Sequence, residues 1–274
     1  MSLALLGGDL ALAANASEHR AIAETSFPAL RPAQNGELAR RYGAAAPHLE
    51  AALRHAAGVA PTIAAAVAPA PPATLAFEAG GQPALGATLA VYATNVGADP
   101  QRFESFAEAA RRLIDGGATA KQTPAATSRW FHTTADAILT ALGTAEAALP
   151  APRGADLEAL LAELRIVAQL ARFHGHRTIG AVRYNLFKRS LRLAELVASV
   201  YDEKAAVAAW RDLVAASAGL PQAERWRVEL KTLEFTCKEL EDQCCPPDEA
   251  TLKEKVWQPA TDVGARPPAG ATAK

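Results

Sequence analysis

Cysteine is scarce: the chain has three, Cys237, Cys244 and Cys245, all close to its C-terminal end. Such placement cannot staple the main body and does not resemble a secreted disulfide framework. The spacing also lacks the paired short steps of a four-ligand zinc site, so an accidental thiol cluster is expected there. An excess of either charge is absent too, with Lys+Arg 28 against Asp+Glu 29 and a net charge of -1. This argues against a broad electrostatic footprint for nucleic acid or an anionic membrane. No long run of large apolar residues occurs, so no membrane span is expected. Aromatic residues make up 6% and methionine occurs once, while roughly a quarter of the 274 residues are alanine. Alanine adds little apolar area to a core. The composition therefore predicts a mainly α chain of helices packed closely through small residues, with irregular stretches between them.

The N-terminus, Met1-Ser-Leu-Ala-Leu-Leu-Gly-Gly-Asp-Leu, has no basic n-region, and Gly7-Gly8-Asp9 interrupts any apolar segment, although Ala14-Asn-Ala16 has the form of a cleavage site. A signal peptide is not expected, which leaves the cytoplasm as the default compartment. Residues 34–57 carry Leu38, Tyr42, Leu49 and Leu53 at helical spacing, with Pro47 marking a kink or a second start. Val59 to Val67 fits either a buried strand or a helical turn, because periodicity cannot decide at that length. Residues 69–98 are rich in Pro and Gly and read as a long loop. Asp99-Pro100 opens a turn, Ser105-Phe-Ala-Glu108 has the form of a capping box, and Gly116-Gly117 stops the helix that follows.

Thr123-Pro124 starts a helix to about Leu149. After Pro150 to Gly154 comes the strongest segment. Leu157, Leu161, Leu164, Ala168, Ala171, Thr178, Val182 and Leu186 share one side of a very long helix, in which Gly175 and Gly180 suggest a bend near His174. Leu191 to Val200 continues helically, Asp202 can cap a helix carrying Trp210 and Val214, and a last helix runs through Trp226, Leu230, Leu233 and Leu240. A short helix around Leu252 to Trp257 and a disordered tail complete the chain. The expected organisation is an Ala/Pro-rich region with helices and a long loop at 1–98, a bundle of antiparallel helical hairpins at 99–245, and a flexible tail at 246–274. Remaining apolar stripes would favour a homodimer.

Few residues invite a chemical reading. Gly116 to Lys121 lacks the spacing and the Lys-Ser/Thr pair of a phosphate loop, and Ser217 lacks a nucleophile elbow. His174 and His176, two apart on a helix, point roughly 200° apart and cannot meet one metal ion unless the backbone breaks at Gly175. His174 reads first as a hydrogen-bonded interior or interface residue and second, with Arg172 and Arg177, as part of a site for an anionic or polyol ligand; Arg172, Arg177 and Arg183 fit polar surfaces nearby. His48 and His55 share a face that reads as solvated. No metal and no cofactor is expected. Among carboxylates, Glu78 stands out in the long loop beside Phe77, with Asp99 as an available partner for acid and base work.

Six segments in order, Leu30-Arg-Pro-Ala-Gln-Asn-Gly-Glu-Leu-Ala-Arg-Arg-Tyr42, Val59-Ala-Pro-Thr-Ile63, Asp99-Pro-Gln-Arg-Phe103, Ala120-Lys-Gln-Thr-Pro124, Leu170-Ala-Arg-Phe-His174 and Trp226-Arg-Val-Glu-Leu230, resemble the C-terminal helical part of large multidomain bacterial glycoside-hydrolase-like proteins. In that family an α-glucuronidase-like or hexosaminidase-like domain and a (β/α) barrel come first. The resemblance implies that Val59 to Val67 corresponds to the last barrel strand, with Glu78 in the loop after it. It also implies that the upstream catalytic part is missing. The reading that follows is a non-catalytic helical module derived from a carbohydrate-active protein, in contact with a barrel domain or carbohydrate. The alternatives are a small stand-alone glycoside hydrolase, with Glu78 and Asp99 catalytic and Arg172, His174 and Arg177 binding substrate, and a helical scaffold protein.

Overall fold

In the computed structural model, residues 35–67, 88–220 and 223–244 are described. Among them the chain is mainly α, and no strand occurs; Phe103 and Gln122 form an isolated parallel bridge. The helices are α1 (Asn35–Tyr42), α2 (Ala46–Ala56), α3 (Val59–Ala66), α4 (Leu89–Tyr92), α5 (Phe106–Asp115), α6 (Pro124–Ala148), α7 (Ala155–Ser190), α8 (Leu193–Ala216) and α9 (Ala223–Cys244). Glu78, the short helix near Leu252 and the tail lie outside the described residues.

The local signals act as their chemistry requires. Pro47 falls in the first turn of α2 after a 3-10 turn at Gly43–Ala45, so the proline begins a second segment. Ser105 and Glu108 form the reciprocal capping box, and Gly116 closes α5 in the left-handed conformation at φ 71°. Thr123 caps α6 ahead of Pro124. Val59 to Ala66 is helical, which settles the ambiguous segment against a strand and against its correspondence to a barrel strand. The carbonyls of Ala64, Ala65 and Val67 at the end of α3 accept from Ala98 N–H, Asp99 N–H and the Asn95 side chain. These groups lack intrahelical donors, and the following segment supplies them.

Helices α6 to α9 run as successive antiparallel hairpins. Their register is written in ion pairs whose numbers rise on one helix as they fall on the next: Asp136 with Arg172 and Glu146 with Arg165 between α6 and α7, then Arg211 with Glu234 and Lys204 with Glu241 between α8 and α9. α7 is the central helix. One side meets α5 and α6 and the other meets α8, so Ile166, Val167, Leu170, Phe173 and Ala181 are buried along with the expected stripe. The stripe itself is buried from Leu157 to Val182, and Leu186 is half-buried. Leu49, Leu53 and Ile63 join the same core as Phe131 and Ile138.

Further sequence expectations change. Helix α4 falls inside the 69–98 stretch read as a loop, and Leu191 and Arg192 interrupt the helix expected to continue to Val200. α7 runs unbroken through Gly175 and Gly180, because both glycines serve close packing: a Cβ at Gly175 would lie 2.7 Å from the His132 ring, and one at Gly180 would lie 3.2 Å from Asp202 Cβ. Asp202 caps nothing. It sits inside a continuous α8 and pairs with Arg183 at 2.8 Å.

Candidate functional site

The long central helix places His174, Arg177 and Thr178 at i, i+3 and i+4, a spacing that puts all three on one face. Two neighbouring elements meet that face. α4 brings Tyr92, whose hydroxyl lies 2.9 Å from His174 Nδ1. α8 brings Glu203, and Arg177 donates to it from Nε at 3.0 Å and from Nη2 at 2.8 Å. Aromatic faces cover the guanidinium, with the Tyr92 ring centroid at 4.7 Å and the Phe173 centroid at 5.2 Å. Arg177 is 0% exposed and Glu203 1%. A planar cation held by a two-point carboxylate and two π-faces matches the guanidinium's geometry in a way a lysine could not.

The electrostatics follow from the depth. Burial, aided by the Arg177 charge, pushes the His174 imidazole down to about 3, so the ring is neutral. Burial likewise raises the Tyr92 phenol well above its ordinary range, against the pull of Arg177. On α9, Glu229 is buried with no hydrogen-bond partner for either carboxylate oxygen, and burial raises it to about 7 against the opposing Arg225 and Arg177. Cys237, one helix turn pair further on, is pushed up to about 11 by burial.

A second group lies nearer the surface, where α6 and α7 cross. His132 and His176 stack edge to face at 4.5 Å, and Arg172 pairs with Asp136 at 2.8 Å one turn away. His176 falls to about 4, first by burial and then by the neighbouring His132 and Arg172. Among the described residues no group of three or more His, Cys, Asp or Glu side chains is arranged to hold a metal ion.

The structure thus joins two of the five residues singled out from the sequence. His174 and Arg177 share the interior cluster, His174 in the hydrogen-bonded interior role and Arg177 far from the polar surface expected for it. Arg172 lies outside the cluster, with its partner Asp136 largely exposed. Asp99 stands apart: its Oδ1 accepts from the Arg102 N–H at 3.1 Å and closes the turn before Phe103. Sequence reasoning missed Tyr92, Glu203 and Glu229. A signal for the two carboxylates exists. Leu196, Val200, Glu203, Val207 and Trp210 keep the helical step of a core stripe, as do Trp226, Glu229, Leu233 and Leu240, and each stripe holds one acid at an apolar position.

Chemically the interior cluster is self-neutralising. Glu203 spends its charge on Arg177, and an acid and base pair for glycoside transfer would instead need two carboxyl groups open to a sugar between them. Glu229 adds a stability cost with a defined sign. Its folded-state value lies above the ordinary 4.5, so between those values the unfolded chain releases the proton that the folded chain keeps, and stability falls as pH rises from about 4.5 through about 7. Glu229→Gln is therefore expected to stabilise the protein by on the order of 2–3 kcal/mol at pH 8 and by little at pH 4. Urea unfolding at the two pH values checks this.

The comparisons with known proteins bear on the fold. The sequence matches no family model, and no curated protein matches it. Among solved structures the chain is similar to a GH138 enzyme targeting pectin rhamnogalacturonan II, with a TM-score of 0.57 and 12% identity over 76% of this chain. The matched part is 35% of that enzyme, so the chain corresponds to about a third of the length of the protein it resembles. No helix among the described residues is long and apolar enough to cross a membrane.

Proposed function

We propose that this chain is a non-catalytic helical module of a carbohydrate-active, glycoside-hydrolase-like protein, and that it supports or contacts a (β/α)-barrel domain. The observation that carries the reading is the shared fold: three quarters of the chain superimposes on about a third of a GH138 enzyme. The order of sequence segments noted above leads to the same kind of protein. The interior cluster agrees with a supporting role, since its cation and anion satisfy each other away from solvent. A supporting module also needs rigidity, and the bidentate Arg177–Glu203 pair ties α7 to α8 near the middle of both helices.

Turnover tests the proposal. Purified chain incubated with chromogenic glycosides and with rhamnogalacturonan oligosaccharides is expected to release no product above the buffer control. Saturable release of reducing sugar would identify a hydrolase instead.

A further inference from the structure

The turn between α7 and α8 carries an unusual combination. Leu191 is the most exposed large hydrophobic residue in the described chain, at 77%, and Leu193 beside it is 49% exposed. Leu191 is also the only non-glycine residue with a positive φ among the described residues, at 56°. It closes α7 by donating its N–H to the Phe187 carbonyl at 2.7 Å, a position where glycine is the usual occupant because a Cβ is strained there. The folded chain buries little of this side chain. Its backbone would be easier as glycine, and its apolar surface lies in water. An unfavourable residue at an exposed tip points to something the tip touches.

The surroundings indicate the chemistry. Lys188, Arg189 and Arg192 flank the two leucines and are exposed, and none of the three takes part in an ion pair among the described residues. Lys188 and Arg189 also complement the negative end of α7, but Arg192 lies beyond the helix and has no such role. The stretch from Lys188 to Ala194 contains no carboxylate, and with Glu195 in the first turn of α8 the tip keeps a positive excess. A near-zero net charge over the whole chain does not remove this local excess. Leucine is poorly represented at the energetic centres of protein interfaces. Exposed leucines flanked by Lys and Arg are the usual make-up of segments that enter a lipid headgroup layer, with apolar side chains at the acyl boundary and cations among anionic headgroups.

We infer that the α7–α8 tip is a reversible docking point for an anionic bilayer surface, with Leu191 and Leu193 inserted and Lys188, Arg189 and Arg192 among the headgroups. Two leucines and three cations supply weak, salt-sensitive binding rather than anchoring. The inference is independent of the module's place in a glycoside-hydrolase-like protein.

Co-sedimentation of the full chain with phosphatidylcholine vesicles, and with equimolar phosphatidylcholine and phosphatidylglycerol vesicles, tests it. Binding is expected only to the anionic vesicles and is expected to fall with added salt. Leu191→Gly is expected to weaken that binding by roughly tenfold, through loss of one buried leucine, while raising the melting temperature by about 2–4 °C through relief of the left-handed leucine. The opposite movement of the two readouts separates a docking role from a folding defect. The triple variant Lys188→Gln, Arg189→Gln, Arg192→Gln should lose the preference for anionic vesicles. Three results would overturn the inference: equal sedimentation with both vesicle types or none, unchanged vesicle binding by Leu191→Gly, or binding of a soluble poly-glutamate peptide without vesicle binding, which would indicate an acidic protein partner.

Discussion

Arg177→Met is expected to destabilise the folded chain by about 3–5 kcal/mol, the usual consequence of removing one partner from a buried ion pair. Glu203, 1% exposed, would keep its place in the interior with no cation to answer it. Two further contacts disappear with the guanidinium, those over the Tyr92 and Phe173 rings. Glu203→Leu should cost a similar amount, because it strands the arginine. The double variant is the informative one. With both charges replaced by apolar groups of similar volume, most of the loss should be recovered, since the pair's attraction largely offsets its own desolvation. Urea unfolding of the two single variants and the double, followed by fluorescence of Trp210 and Trp226 at the α8–α9 contact, reads the coupling directly. Additive losses would mean that the two side chains do not act as a unit.

Gly97→Ala should be nearly as damaging for a different reason. Gly97 is buried where the chain crosses the end of α3, and a Cβ there would lie 2.1 Å from the Ala65 carbonyl oxygen and 2.6 Å from the Ala66 carbonyl carbon. Both are backbone atoms, and no rotamer change relieves the clash. The strand of contacts around it, Ala98 N–H to Ala64 O and Asp99 N–H to Ala65 O, would have to lengthen together. We expect a loss of about 3 kcal/mol or more, seen as a fall in melting temperature of roughly 6–12 °C. Gly143→Ala makes a suitable control, because nothing lies within 4 Å of its added methyl. It should leave stability unchanged or raise it slightly, as expected for alanine inside a helix.

The contrast between these two residues shows what a sequence carries. Capping signals were legible because they are local: Ser105 with Glu108, Thr123 ahead of Pro124 and Gly116 after α5 all act within one turn of their own helix. The period of α7 was legible because one face repeats over thirty residues or so. Its second buried face was not, since a helix covered on two sides loses the polar stripe by which periodicity is read. The Val59 to Val67 segment was undecidable because it is too short for periodicity to separate helix from strand, and the donors from Asn95, Ala98 and Asp99 that satisfy its end carbonyls are specified by no local pattern.

The interior cluster was half legible. His174 could be placed in the interior from its position on the apolar side of α7. Arg177 looked like a surface residue because an arginine is ordinarily exposed, and only the acid at position 203 of another helix changes that. Glu203 and Glu229 each interrupt an apolar stripe, and that interruption is the signal the sequence offers for them. The candidate carboxylates taken from loops fared differently. Asp99 is engaged in its own turn, and Glu78 lies outside the described residues.

Rates with and without those two carboxylates decide most directly whether the chain is a supporting module or an enzyme. Glu78→Gln and Asp99→Asn, compared with the unaltered protein on chromogenic glycosides at pH 5 and pH 7, should all give the background rate. Turnover by the unaltered protein that disappears in either variant would contradict the module reading and make that carboxylate a catalytic group.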